Sequence, residues 1–279
     1  MKERGKRLHG RCQHWICPVR RLIRSFPSGS ATGTSKSVSI GSMRRSAPLV
    51  AVAILCSTLI VSSLQAGQDS AHDLFHRMQQ ALGGAEKIAA IRDLDWTVKA
   101  DAFDHAGKLI GQVTKRTRWI RPNYLRLDQL GPGDTYVLYF DGDRGWEVLP
   151  GTSNVIDLAG GELDFARQYL AGFMLNLWIA DCTGNSTITS PAPDVIRISS
   201  GKNSSEIILN PANWLPAQVV EWQDVDGVQF PAHEVNSHPD DGTADIRTKR
   251  IVFNSGLKPD ELRAKPPDGR PVLLTQDVR

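Results

Sequence analysis

Cysteine is scarce in this sequence and unevenly placed. Three of its four cysteines, Cys12, Cys17 and Cys56, lie in the first 66 of 279 residues, which leaves Cys182 alone in the rest of the chain. A disulfide within residues 67–279 is therefore excluded, because it needs two cysteines. A stretch of that length can bury a sizeable core without such cross-links.

Acidic residues are almost missing from the same N-terminal part. Residues 1–66 hold 11 of the 33 Lys and Arg but only one of the 30 Asp and Glu, so residues 67–279 carry a formal net charge of −7. The positive charge of the whole chain thus comes from its N-terminal quarter. Polyanion binding depends on clustered Lys and Arg, so the remainder gives no support to a nucleic-acid partner.

Catalytic motifs are also lacking. The sequence has no Gly-rich phosphate loop, no Gly-x-Ser-x-Gly motif and no paired carboxylates in a shared apolar context. His72 and His76 stand four residues apart and could share a metal ion. They lie opposite the apolar stripe of their predicted helix, however, and no Glu adjoins a His as in zinc proteases. A solvated polar face explains them.

Two further candidates have simple structural explanations. Cys182 could act as a nucleophile with His233 or His238, but it follows a predicted helix C-terminus, where the helix dipole disfavours a thiolate. Residues 224–227 are similar to the start of a calcium loop, yet the later ligands are missing and a hairpin turn accounts for them. We therefore predict no catalytic residue, no metal, no cofactor and no enzymatic activity.

An uncharged apolar run from Ala47 to Val61 follows Arg44-Arg45 and precedes small residues ending at Ala66. A basic head, an apolar middle and a small-residue exit are typical of a signal peptide, so we predict a leader over 43–66 and a periplasmic or otherwise exported protein. The alternative is an uncleaved membrane anchor at 47–66. Residues 1–42, basic and of low complexity, are interpreted as an extension ahead of the true start at Met43.

The rest of the chain, 67–279, is predicted to be a single β-rich domain. Helical spacing of apolar residues predicts a helix at Ser70–Leu82 and a shorter one at Ala85–Ile91. From Leu94 the pattern changes to period two, and turn residues separate successive strands. Predicted strands then follow one another to Phe253, and the tail from about residue 257 is expected to be irregular.

One strong helix, predicted from Gly161 to Ala180, interrupts the strands, and its apolar stripe is wider than that of an ordinary surface helix. Short turns imply antiparallel pairing, and a wide apolar helix between two sets of strands needs a concave sheet to cover it. We predict a mainly β fold of the α+β kind, with a curved antiparallel sheet wrapped on helices.

The strand motifs carry a family resemblance. Arg121-Pro122-Asn123-Tyr124-Leu125-Arg126-Leu127, Tyr139-Phe140-Asp141-Gly142 before Gly145-Trp146, and Asn213-Trp214-Leu215-Pro216 with Asp226-Gly227 before Phe230-Pro231 stand in an exported chain that opens with a helix. Together they resemble the LolA/LolB-like periplasmic lipoprotein carriers, over most of Ser70–Leu257.

The resemblance implies a half-barrel whose apolar hollow accepts acyl chains beneath a helical lid. It thus implies a carrier or binding protein for a lipid, an acylated protein or another apolar ligand, with envelope membrane proteins as further partners. The alternative is a non-catalytic cell-envelope interaction or scaffold module with a filled core. The candidate strand residues are Trp96, Trp119, Tyr136, Leu138, Phe140 and Trp146, and the candidate lid residues are Phe173, Met174, Leu177 and Trp178. Any of them could instead be simple core residues.

Overall fold

The computed structural model describes residues 71–131, 134–149, 152–238 and 242–266. The predicted leader, its cleavage point and the N-terminal extension lie outside these residues. Within them, no helix combines the length and apolarity needed to span a bilayer.

Two helices open the described chain, as the sequence predicts: α1 at 71–81 and α2 at Ala85–Ala90. The apolar stripe of α1, including Phe75 and Met78, is fully buried. Gly83 ends the α1 turn with φ 115°, and a Cβ at this position would lie 2.2 Å from the carbonyl oxygen of Gly227. Glycine therefore lets the end of α1 press against the sheet, where Gln229 N–H donates to the Leu82 carbonyl at 2.9 Å.

Nine strands form the main sheet: β1 Asp93–Phe103, β2 Leu109–Ile120, β3 Tyr124–Gly131, β4 Asp134–Phe140, β5 Gly145–Val148, β6 Val155–Asp157, β10 Val219–Val225, β11 Val228–His238 and β12 Gly242–Phe253. Their order is β10-β11-β12-β1-β2-β3-β4-β5-β6, with every neighbouring pair antiparallel. The end strands β10 and β6 do not pair, so the curved sheet is open. The predicted mainly β, half-barrel fold is confirmed.

The segment between β6 and β10 departs from the prediction. The single helix predicted over Gly161–Ala180 is three pieces: α3 at Gly160–Ala171, α4 at Met174–Leu177 and a 3-10 turn at Ala180–Cys182. Gly172 ends α3, since its N–H still donates to Gln168 while Phe173 turns to extended backbone. A separate three-stranded antiparallel sheet follows, made of β7 Thr187–Ala192, β8 Val195–Ser200 and β9 Asn203–Ile208.

The two faces of the main sheet have different covers. The inner face carries Leu94, Trp96, Trp119 and Leu138, and it is packed in one buried cluster with α1, α2, α3, α4 and the small sheet. The outer face carries a second, smaller cluster around Tyr139 and Trp146 that includes Leu262. Leu262 belongs to α5, Pro259–Arg263. The prediction of an irregular tail from residue 257 is therefore wrong at this point, because a short helix closes the outer face.

Charged side chains also lie on the outer face of the main sheet. Arg116 forms a two-pronged pair with Asp95, at 2.8 and 2.7 Å, and Arg250 joins the same carboxylate at 2.9 Å. Burial alone would raise the pKa of Asp95, but the hydrogen bonds and charges of the two guanidiniums outweigh it and hold the pKa below its usual value. These residues are paired charges with a structural role.

A second ion cluster lies one strand further along. Asp128 accepts from Arg118 at 2.6 Å and from Arg126 at 2.9 Å, and its side chain is fully buried. Arg126 also donates to the carbonyls of Leu262 and Ala264, so it connects β3 to α5. The arginine of the strand motif thus fastens the C-terminal helix to the outer face.

Candidate functional site

Nine of the ten predicted site residues share the inner side of the main sheet. They form part of one apolar cluster, in which Leu177 is partly buried and the others are buried: Trp96, Trp119, Tyr136, Leu138, Phe140, Phe173, Met174, Leu177 and Trp178. The structure therefore brings the strand set and the helix set together.

Trp146 lies on the outer face instead. Its ring stacks on Tyr139 at 5.7 Å, its indole N–H donates to the Arg263 carbonyl at 3.3 Å, and the Arg126 guanidinium lies 5.5 Å from the ring. The inward neighbour is Glu147, whose carboxylate accepts from the Tyr136 hydroxyl at 3.0 Å. We therefore leave Trp146 out of the candidate site.

The space between sheet and helices is largely filled. Phe173 packs on Trp119 with ring centroids 5.5 Å apart, and Trp178 meets Phe230 at 6.1 Å. Phe230 in turn contacts Trp96 at 5.3 Å. The candidate strand residues are thus core residues in this conformation, and a ligand would have to displace the helical residues that cover them.

An apolar cleft remains where α4 faces the sheet edge. It has a volume of 60 Å³ and lies between α4, strand β9 and strands β10 and β11. Its walls include Met174, Leu177, Trp178, Ile207, Val219 and Trp222. Three of the four predicted lid residues therefore line a cavity. Since Trp222 contacts Trp178 at 6.5 Å, a series of ring contacts leads from this cleft to the core.

Helix α4 is short, and side-chain hydrogen bonds fasten it to its neighbours. It is a single turn, bounded by Gly172 and Phe173 on one side and by a 3-10 turn on the other. Gln79 of α1 fastens its C-terminal end, donating to the Trp178 carbonyl at 2.9 Å and to Asp181 at 3.0 Å. Asn176 of α4 also donates to the Leu170 carbonyl at 3.0 Å, so side-chain packing and these two amides hold the turn over the cleft.

Glu234 is the unexpected member of the cleft wall. Its side chain is 6% exposed, and no hydrogen-bond or ion-pair partner for it exists among the described residues. Burial raises the pKa of this carboxyl to about 7, and the positive charge of Lys115 opposes the rise. A carboxyl group that is partly protonated near neutral pH therefore borders an apolar cavity.

The sequence contained a signal for Glu234 that the motif analysis did not use. Along β11 it has the same alternation phase as the buried Val228 and Phe230, and it is registered with Val219 and Ile246 on the neighbouring strands. A charged residue in the inward phase of a strand is unusual. Its position in the sequence therefore indicates a buried carboxyl group, which is a candidate for a functional role.

A wider surface basin lies away from the cleft. Its volume is 630 Å³, and it is bordered by α1 residues, among them His76 and Arg77, and by Asn213 and Trp214 of the β9–β10 loop. The Arg77 guanidinium lies 5.1 Å from the Trp214 ring. Because the basin is open and half polar, it is a poorer fit to an apolar ligand than the cleft is.

The weaker catalytic candidates do not converge. Among the described residues no three His, Cys, Asp or Glu side chains lie together as a metal site. His76 is exposed and lies 3.5 Å from Asp181. Cys182 is exposed, and partial burial and the neighbouring Asp181 raise the pKa of its thiol, which disfavours a thiolate. The Nε2 atom of His233 is hydrogen-bonded to the Asp245 carboxylate at 2.9 Å.

Residues 224–227 form a turn, as predicted. Gly227 N–H donates to the Asp224 carboxylate at 3.0 Å, and Asp226 and Gly227 both have positive φ, at 54° and 78°. Two successive positive φ values are those of the tight hairpin turn that joins antiparallel strands. The turn connects β10 to β11.

The sequence matches no protein-family model and no curated protein. The structure is similar to that of a DUF1329 family protein from Desulfovibrio piger, with 12% identity, coverage of 69% of this chain and 95% of that chain, and a TM-score of 0.45. It is also similar to a LolA superfamily protein from Nitrosomonas europaea, with 15% identity, coverage of 67% and 97%, and a TM-score of 0.43. Likenesses at this level describe backbone shape and carry no information about a ligand.

Proposed function

We propose that this chain is an exported carrier or binding protein for a lipid, an acylated protein or another apolar ligand. The ligand enters at the cleft beside α4 and is held between the inner face of the sheet and the helices. The observation that carries the proposal is the cleft itself, a cavity walled by Met174, Leu177, Trp178 and Trp222 at the edge of a filled apolar core.

Uptake requires α4 to move. The cleft measures 60 Å³, whereas ligand pockets commonly have roughly 300–1,000 Å³, so the closed form admits only the end of a chain. Helix α4 is suited to such a movement, because a single turn flanked by Gly172 has little stability of its own. Met174 and Leu177 would exchange contacts with the core for contacts with the ligand, so the apolar area stays buried.

Export follows from the predicted leader at 43–66, which supports a periplasmic location. An apolar ligand that crosses an aqueous compartment needs its hydrocarbon shielded from water, at about 25 cal/mol per Å² of buried surface. In this proposal the protein provides that shielding, and envelope membrane proteins are the donors or acceptors of the ligand.

The second candidate function is a non-catalytic envelope interaction or scaffold module. The observation that favours it is the dense inner cluster, where Trp119, Leu138 and Phe140 are at most 1% exposed. A module of this kind would keep α4 closed and would bind partners through its surface. The two functions differ in whether the α4 segment must open.

A reversible crosslink tests that difference. A Cβ at Gly172 would lie 3.8 Å from the Ser205 hydroxyl oxygen, with no clash, so Gly172→Cys with Ser205→Cys can join the α3–α4 corner to β9. The background carries Cys182→Ser, since that thiol is exposed. For a carrier, uptake of a fluorescent fatty acid falls on oxidation and returns on reduction, and the reduced form of the same protein is the matched control.

Native mass spectrometry supplies the complementary measurement. The chain is exported to a bacterial periplasm, purified without detergent and examined for bound mass, followed by lipid extraction. A stoichiometric apolar ligand supports the carrier and identifies its class. An empty protein that takes up neither the fluorescent fatty acid nor the uncharged dye Nile red in either redox state contradicts the carrier and leaves the scaffold.

A further inference from the structure

Glu234 is a buried acidic residue for which the described residues provide no hydrogen-bond or ion-pair partner. The other buried carboxylates of the main sheet have partners: Asp93 accepts from Ser255 and the Gly256 N–H, Asp95 and Asp128 each pair with two arginines, and Glu147 accepts from the Tyr136 hydroxyl. Glu234 is also buried, with 6% of its surface exposed, but it has no such partner among the described residues. Buried polar groups that lack hydrogen bonds destabilise a fold, so each needs an explanation.

The charges around Glu234 leave it available to a ligand. Lys115 is the cation that acts on it, but the two groups form no ion pair within 4.0 Å. Glu206, the other acidic residue at the cleft, is engaged by the Arg197 guanidinium at 2.8 Å. Gln218 lines the cleft as an uncharged amide. Glu234 is thus the one acidic group lining the cleft, among the described residues, whose oxygens are uncommitted.

We propose that Glu234 is the polar anchor of the cleft, and that it binds an N–H or O–H donor at the polar end of an amphiphilic ligand whose hydrocarbon lies along Met174, Leu177 and Trp178. This inference rests on the proposed apolar-ligand function and adds the headgroup class. A long-chain ammonium is the strongest member of that class, because a charged donor would meet a carboxylate in a largely apolar cleft.

The physical argument is one of complementarity. An apolar ligand that fills the cleft would cover the carboxyl group of Glu234 without offering it a hydrogen bond. A ligand that carries a donor satisfies the carboxyl oxygens on binding, so it gains a hydrogen bond that an ester or a carboxylate of equal chain length cannot supply. Burial, which raises the pKa of Glu234 to about 7, still leaves the carboxylate populated at pH 8.

The test compares dodecylamine, dodecanol, dodecanoate and methyl dodecanoate as competitors for the uncharged dye Nile red on the full-length protein at pH 8. The wild type is expected to bind dodecylamine at least tenfold more tightly than methyl dodecanoate. Glu234→Gln is expected to lose most of that preference, measured as the ratio of the two amphiphile affinities within the variant itself. Glu221→Gln, an exposed residue on β10, is the matched control and keeps the preference.

The outcomes separate the headgroup inference from the proposed function. If all four amphiphiles bind and the wild type and Glu234→Gln order them alike, the anchor is overturned and the carrier stands. If neither Nile red nor any amphiphile binds, the carrier fails and the anchor fails with it. Glu234→Leu provides a second variant should the glutamine form fold poorly, and it too must abolish the amine preference for the inference to hold.

Discussion

Replacing Glu234 by glutamine should change how the stability of the protein depends on pH. The pKa of this carboxyl is about 7 in the folded protein, against an ordinary value of 4.5, and the first cause is burial. An unfolded chain therefore loses this proton at lower pH than the folded one does. As the pH rises from about 4.5 to about 7, ionisation favours the unfolded state, so this group removes stability across that window.

The size of the effect follows from the two pKa values. Each tenfold difference in proton affinity corresponds to about 1.4 kcal/mol, so the full loss is about 3 kcal/mol above pH 7. Between pH 5 and pH 8 the wild type should lose about 2.5 kcal/mol through this group, since part of the loss is already present at pH 5. Glutamine does not titrate, so the variant should avoid that loss. For a domain of this size the variant's advantage at pH 8 corresponds to roughly 5–10 °C in Tm.

Urea unfolding followed by tryptophan fluorescence at pH 5, 6, 7 and 8 measures the effect. Subtracting the wild-type curve from the Glu234→Gln curve removes the contributions that the two proteins share. The exposed Glu221→Gln is the control and should parallel the wild type. Parallel curves for Glu234→Gln would refute the reasoning, since they would mean that Glu234 is hydrated or paired.

Three further substitutions test the fold and the placement of the site. Asp128→Asn leaves Arg118 and Arg126 buried without their carboxylate, and urea titration should show a loss of about 3–5 kcal/mol. Phe173→Ala opens a cavity against the inner core and should cost about 3–5 kcal/mol by the same measurement. Trp146→Ala should also lower the unfolding midpoint but leave Nile red affinity unchanged, because the ring lies on the outer face.

Each of these has a result that contradicts it. An exposed carboxylate, Asp143→Asn, is the control for the ion cluster and should change stability by less than about 0.5 kcal/mol, so equal effects of the two would remove the argument from burial. A Phe173 variant as stable as the wild type would mean that the corner is not packed in solution. Loss of dye binding in a folded Trp146→Ala protein would return that residue to the site.

The alternation of apolar residues predicted most of the sheet, and it failed where both faces are buried. In β4 the run Tyr136-Val137-Leu138-Tyr139-Phe140 is apolar throughout, so its pattern does not tell inward from outward positions. In β5 we expected Trp146 to point inward, but in the structure Trp146 lies on the outer face and Glu147 on the inner face. The reason is that α5 covers the outer face, while the Tyr136 hydroxyl donates to Glu147 on the inner side. A five-residue helix 110 positions away is not visible in the local pattern.

The helix prediction failed for a related reason. Apolar spacing from Gly161 to Ala180 suits one continuous helix, and glycine within such a pattern is often tolerated. In the structure Gly172 ends α3, and Asn176 caps the break by donating to the Leu170 carbonyl at 3.0 Å. That break is what creates α4 and the cleft, so the candidate entrance depends on a local choice that periodicity does not determine.

By itself the sequence determined what is set by composition and by local period: the strands with their turn residues, the first two helices, and the apolar class of the inner side chains. Only the tertiary structure decided which face each side chain occupies, how the outer arginines and aspartates pair, and that Glu234 borders a cavity. The physical reason is that the local sequence pattern shows only whether each side chain is apolar or polar. Burial of a charge depends on which distant strands and helices surround it, and that is a property of the whole fold.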